Sequence, residues 1–170
     1  MEEKGSKSPK KGKMLVSLRG GFLHKIGENG RINLPSNFKE ALLNRGVNRL
    51  IVIRDLDCLR VWPEDEWEKR EAAFEELNLD DSKVSAYLRY LYANLSDLET
   101  DSQGRFVISE ELKKTMELKG QVFILGMGNL FEVWNPEAYH FKSKELEQGF
   151  SGNRNYVAEL LEKRKHEQRD

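Results

Sequence analysis

A chain of 170 residues, 38% hydrophobic and 34% charged, suits one domain, or two small ones fused by duplication, around a lean core. A formal net charge of −1 argues against a uniformly basic nucleic-acid binder, and there is no run of about 18 apolar residues to span a membrane. The single cysteine, Cys58, cannot form an internal disulfide, which fits a reducing cytoplasm.

Residues 1–13 carry five lysines against two glutamates and no apolar residue after Met1, which predicts a disordered basic tail and not a signal peptide. Such a tail is either a solvated end or an auxiliary electrostatic arm for DNA. Leu15 to Ile26 reads as a strand, with a bend or bulge expected at Arg19-Gly20-Gly21. Gly27-Glu28-Asn29-Gly30 then makes a turn into a short strand from Arg31 to Leu34. Pro35-Ser36 opens a helix to about Leu43, and Asn44-Arg45-Gly46 ends it. Leu50 to Arg54 and Leu59 to Trp62 are two further strands.

Pro63-Glu64-Asp65-Glu66 opens an acidic helix with Trp67, Phe74 and Leu77 toward one face. Residues 64–81 hold nine acids against Lys69 and Arg70, a surface that would repel a polyanion. After Asp80-Asp81-Ser82 a second helix places Val84, Tyr87, Leu88, Leu91, Tyr92 and Leu95 at helical spacing. That stripe is either intramolecular core or part of a subunit interface.

From there the order of elements repeats. Asp101-Ser102-Gln103-Gly104-Arg105 answers Gly27-Glu28-Asn29-Gly30-Arg31, and Asp at the first turn position with Gly at the fourth suits a type I turn. Phe106 and Ile108 answer Ile32 and Leu34, while Leu112 and Met116 answer Phe38 and Leu42. Val122-Phe123-Ile124-Leu125 answers Leu50-Ile51-Val52-Ile53, and Val133-Trp134 answers Val61-Trp62. Gly126-Met127-Gly128-Asn129 lies between two strands and reads as a hairpin turn, with no Lys-Ser/Thr following as a phosphate loop would need. Gly149-Phe150-Ser151-Gly152-Asn153 is expected to be a hinge before a last helix from about Asn155.

The doubled turn-and-strand motif, with Leu18-Arg19-Gly20 at its front and Val133-Trp134 near its end, resembles the MraZ family over roughly Val16 to Tyr139. The first copy departs from the family's pattern, with Gly27 where its Asp belongs and Asn29 in place of its Lys. The resemblance implies an α+β fold of two AbrB-like swapped-hairpin halves, β-rich and with attached helices. The expected division is a tail over 1–13, a first repeat with its helix over 14–80 and a connecting helix over 81–97. A second repeat over 98–148 and a C-terminal helical tail over 149–170 follow. It further implies a cytoplasmic, nucleoid-associated transcriptional regulator, in the repressor sense, of division and cell-wall genes. As partners it implies double-stranded DNA, at promoter direct repeats, and copies of the chain itself in a homo-oligomeric ring of about eight or more subunits, whose avidity would offset a weak single patch.

Candidate DNA contacts are Arg19, His24, Lys25, Arg31 and Arg105, with Asp101, Gly30 and Gly104 stabilising the turns. Arg105 has two readings: it fixes its turn by bonding Asp101, or it reaches a phosphate or guanine edge. Arg31 lacks that carboxylate at position 27 and is expected to be exposed. Trp62, Trp67 and Trp134 are either core or interface anchors, or a base-stacking platform. His24, His140 and His166 stand far apart, Cys58 has no partner at metal-ligand spacing, and no nucleophile elbow is present. Neither a catalytic residue, a metal nor a cofactor is therefore expected. An oligomeric scaffold or regulatory interaction protein with weakened DNA binding is the alternative, for which the altered first turn argues.

Overall fold

The computed structural model describes residues 17–168, so the tail expected over residues 1–13 lies outside the described part. In chain order the elements are β1 (Leu18–Lys25), β2 (Arg31–Asn33), α1 (Ser36–Arg45), β3 (Arg49–Arg54), β4 (Leu59–Pro63), α2 (Glu64–Glu75) and α3 (Ser82–Ala93). Then come β5 (Leu95–Glu99), β6 (Arg105–Val107), α4 (Glu110–Thr115), β7 (Gln121–Gly128), β8 (Phe131–Trp134) and α5 (Pro136–Glu167). The fold is α+β, and its two halves repeat the order strand, strand, helix, strand, strand, helix, to which the first half adds α3.

The halves exchange strands. One antiparallel sheet runs β1-β7-β8-β4-β3-β5, and β2 pairs with β6 in a separate two-stranded ribbon. The first strand of each half thus pairs with the third strand of the other: β1 with β7, and β5 with β3. Swapping the halves leaves the sheet order unchanged, so a pseudo-twofold axis passes between β4 and β8 and through the Ile32–Phe106 pair of the ribbon.

Alternation along these strands puts one apolar row inside. Ile32, Leu34, Phe38, Leu50, Val52, Leu59 and Val61 from the first half meet Phe106, Ile108, Val122, Ile124, Phe131 and Val133 from the second in a single core. Phe131 sits at its centre, 5.6 Å from the Phe38 ring and 6.1 Å from Phe106. Each such side chain contributes about 1.5–3 kcal/mol by leaving water. A second cluster lies on the other face of β3 and β4, where Ile51, Ile53, Trp62 and Trp67 are closed over by Leu88 and Leu91 of α3. Arg70 lies over the Trp62 ring at 5.1 Å. All three tryptophans are buried, so none offers a stacking face to a base.

Helix ends follow local chemistry. Gly46 takes the left-handed conformation that closes α1, and the Asp81 carboxylate accepts the Lys83 and Val84 amides at the start of α3. Asn135 does the same for Glu137 and Ala138 ahead of Pro136 at the start of α5.

Four expectations are corrected. Gly126-Met127-Gly128 is the end of β7, paired with β1, and the hairpin to β8 turns at Asn129-Leu130 instead. Strand β1 has no bulge: it pairs residue for residue with β7 from Leu18–Gly128 to Lys25–Gln121. The expected bend is present at Gly20, whose φ is 98°, and Gly21 serves close approach, since a Cβ there would lie 2.5 Å from the Phe123 ring. Leu95 does not close the α3 stripe but begins β5, and Tyr87 and Tyr92 stand half exposed while Leu88 and Leu91 are buried. The hinge expected at residues 149–153 is the middle of the continuous helix α5. Gly149 and Gly152 weaken that helix by about 1 kcal/mol each relative to alanine, but neither is followed by a proline or takes the left-handed conformation that stops a helix.

Candidate nucleic-acid interface

Both short strands of the ribbon are flanked by turns of the same build. In the first turn the Gly30 amide donates to the Gly27 carbonyl at 2.9 Å, and the Gly27 amide to the Arg31 carbonyl at 2.9 Å. In the second the Gly104 amide donates to Asp101 and the Asp101 amide to Arg105, again at 2.9 Å each. Gly30 and Gly104 both have positive φ, at 81° and 72°. Each turn is anchored on the other half: the Ile108 amide donates to Gly30 and the Leu34 amide to Gly104, both at 2.9 Å.

Ile32 and Phe106 face inward and are fully buried, so alternation turns Arg31, Asn33, Arg105 and Val107 outward. Arg31 opposes Val107 and Arg105 opposes Asn33. The two arginines, one from each repeat, are therefore diagonal neighbours on one small face, with Cα atoms roughly 7–8 Å apart. A groove of about 760 Å³ beside them is lined by Arg31, Asn33, Lys39, Gln103 and Arg105 among others.

The two arginines differ in freedom. Asp101 accepts the Arg105 amide at 3.0 Å, the Gln103 amide at 2.9 Å and the Arg105 guanidinium Nε at 2.6 Å. These bonds, the Arg105 amide first among them, hold the Asp101 carboxyl below the usual aspartate range. In the first turn Asn29 substitutes for part of this, its side-chain oxygen accepting the Arg31 amide at 3.2 Å. Among the described residues no carboxylate lies within ion-pair distance of the Arg31 guanidinium.

The remaining candidates are not on that face. His24 is bonded beneath the ribbon, its Nδ1 2.8 Å from the Asn33 carbonyl oxygen. Arg19 and Lys25 are exposed on the opposite face of β1 from His24, at the sheet edge. The flank at the other edge has the opposite sign: where β1 ends in Lys25 opposite Gln121, β5 ends in Glu99 opposite Arg49.

Two lysines absent from the sequence-level candidates belong to the turns. The Lys39 side chain of α1 lies over Gly104, where a Cβ would meet it at 2.8 Å. Its counterpart Lys113 of α4 donates to the Glu28 carbonyl and pairs with Glu110 at 3.0 Å. Their signal was the repeat itself, Phe38-Lys39 matching Leu112-Lys113.

A two-stranded ribbon with outward guanidinium groups has the width and the donors to enter a DNA major groove, where arginine bonds phosphates or guanine edges. Among the described residues, no group of three His, Cys, Asp or Glu is placed to hold a metal ion, and no helix is long and apolar enough to cross a membrane.

Comparison with known proteins gives a consistent picture. The family model described as "MraZ protein, putative antitoxin-like" matches twice, over residues 18–90 and 91–157. Proteins called "Transcriptional regulator MraZ" are similar to this chain. That of Acetivibrio thermocellus is 32% identical over 143 residues, covering 84% of this chain and 92% of its own. That of Burkholderia cenocepacia is 34% identical over 120 residues, 70% and 82% of the respective chains. That of Syntrophobacter fumaroxidans is 31% identical over 122 residues, 72% and 81%.

Proposed function

The chain belongs to the MraZ family, and on that premise we propose that it is a transcriptional regulator that binds double-stranded DNA through the β2–β6 ribbon. The observation that carries this reading is the pairing of Arg31 and Arg105, equivalent residues of the two repeats, as diagonal neighbours on one exposed face. Arg31, with no ion pair among the described residues, is the contact left to reach a phosphate or a base edge. Arg105, tethered to Asp101, presents a pre-oriented guanidinium at lower entropic cost. Lys39 and Lys113 add positive charge beside the turns. His24 supports the ribbon from beneath, and Arg19 and Lys25 extend the positive charge along the β1 edge.

One ribbon on a chain of net charge −1 is a weak site. A ring of copies, repeating the ribbon at fixed spacing, would bind direct repeats in a promoter by avidity. In this reading the protein represses division and cell-wall genes, in the cytoplasm and at the nucleoid.

Fluorescence anisotropy on the duplex upstream of the chain's own gene, against a scrambled duplex, tests it. Affinity for the first duplex should be the higher and should fall steeply between 50 and 200 mM salt as counterions are released. Arg31→Ala should lower affinity and reduce the salt slope by about 1, with the assembly unchanged by light scattering. Binding that ignores both salt and Arg31→Ala would leave the scaffold reading in its place.

A further inference from the structure

The two halves differ most on the outer face of the six-stranded sheet, opposite the shared core. In the first half Ile51, Ile53, Trp62 and Trp67 form a row, continued by Phe74 6.2 Å from the Trp67 ring. The chain then reverses over residues 76–81, and α3 lays Val84, Leu88 and Leu91 over the row. The first four residues are each less than a tenth exposed as a result.

The second half repeats the row as Phe123, Leu125, Trp134, Tyr139 and Leu146, with Tyr139 stacked on Phe123 at 4.1 Å. Nothing among the described residues closes it. Phe123, Leu125 and Tyr139 remain part-exposed, Leu146 is 45% exposed, and Met127 and Leu23 beside them are exposed.

The missing cover is also in the sequence. Asn153, Tyr156, Val157, Leu160 and Leu161 of α5 stand in the pattern of Val84, Tyr87, Leu88, Leu91 and Tyr92 of α3. In α5, however, this stripe runs on from the first half of the same helix and projects away, with Tyr156, Val157, Leu160 and Leu161 all exposed. Each chain thus holds an open apolar row and an unseated apolar helix of matching kind.

We propose that the distal half of α5, about residues 150–161, seats on the β7–β8 outer face of a second copy of this chain, in the place that α3 occupies in the first half. This rests on the reading of the protein as a homo-oligomer and names the contact that builds it. A second copy is the favoured occupant because the chain itself is short for the task. Trp67 precedes Tyr87 by twenty residues, whereas Tyr139 precedes Tyr156 by only seventeen, and the reversal with its Asp81 cap has no counterpart. The residues before Met14 offer no rival, since after Met1 they contain nothing apolar to fill the row. Because helix and row differ, the contact can close as a reciprocal exchange between two copies or run head to tail round a ring, and the ring of the proposed function takes the second course.

The test uses full-length chains carrying Leu125→Cys, Leu160→Cys or both, each in a Cys58→Ser background and treated with a short bismaleimide. The expected result is a covalent species of twice the single-chain mass that appears when the two single variants are mixed and is far weaker with either alone. Val157→Glu with Leu160→Glu should convert the assembly to smaller species by light scattering while leaving the far-ultraviolet spectrum folded. A cross-link formed only inside the doubly substituted chain, at single-chain mass, would show that α5 bends at Gly149–Gly152 onto its own row and would overturn the proposal. An intact oligomer in which the mixed variants give no cross-linked product would overturn the seat but not the self-association, whereas a monomeric wild type would remove both.

Discussion

Arg60 and Glu132 occupy equivalent places in the two repeats and face each other across the pseudo-twofold axis, paired directly in the β4–β8 register. The Arg60 Nε stands 3.7 Å from Glu132 Oε1 and 2.9 Å from Asp55 Oδ2. Duplication alone would place like beside like there. Arginine in one copy and glutamate in the other turn that meeting into an attraction, beside the buried Trp134 whose Nε1 donates to Glu132 Oε2 at 2.8 Å.

Glu132→Ala should therefore destabilise the protein by about 1–3 kcal/mol, because the Trp134 N–H is left buried without an acceptor. Glu132→Gln, whose amide oxygen still accepts that bond, should cost less than half as much. Urea unfolding midpoints compared at constant slope check the order.

Asp101→Ala should lower the melting temperature modestly at neutral pH, since the carboxylate is exposed. The sign with pH is distinctive. Folding depresses the Asp101 pKa, so its stabilisation is present above the ordinary aspartate value near 4 and is lost as pH falls through the depressed one. Melting curves of wild type and Asp101→Asn should converge as the pH falls through the depressed value. A constant gap across that range would mean the carboxylate charge does not matter to the turn.

Gly27 and Gly30 should respond oppositely to a side chain. Gly30 has positive φ, and a Cβ there would lie 2.0 Å from the Ile108 carbonyl oxygen, so Gly30→Ala should cost at least about 2 kcal/mol. At Gly27 φ is ordinary, and the nearest atom to a Cβ is the Asn29 side-chain oxygen at 2.9 Å, which can swing aside. Gly27→Asp should leave thermal stability nearly unchanged while tethering Arg31 as Arg105 is tethered, which differential scanning fluorimetry and DNA titration together would show.

Cys58 should be inert in the folded protein. Burial pushes its thiol well up, and the Glu132 and Asp55 carboxylates add to the effect, so almost no thiolate forms at pH 8. Ellman's reagent should find no reactive thiol until denaturant is added, then one per chain.

The duplication was plain in the sequence because matched turns, strands and tryptophans recur in the same order. So were the two turns, since Gly30 and Gly104 end them for reasons local to the chain. Where sequence reading failed, the deciding contact was distant. Gly20-Gly21 looked like a bulge because the Phe123 ring that needs the space lies a hundred residues away. Leu95 fitted the α3 stripe, yet pairing with Ile53 draws it into β5. The gathering of Arg31 and Arg105 on one face depends on the Ile32–Phe106 pairing, and no local pattern reports it.

The exchange of strands also governs how the chain can be made. Among the described residues, β1 lies at the sheet edge and pairs only with β7, and β2 pairs only with β6. A ribosome delivering the chain from its N-terminus exposes Leu18, Phe22 and Ile32 long before Gln121–Gly128 emerges to cover them. The first half must wait in an unfinished state, its strands open to any passing edge, and a stall or truncation before residue 121 should leave a product that aggregates or is degraded.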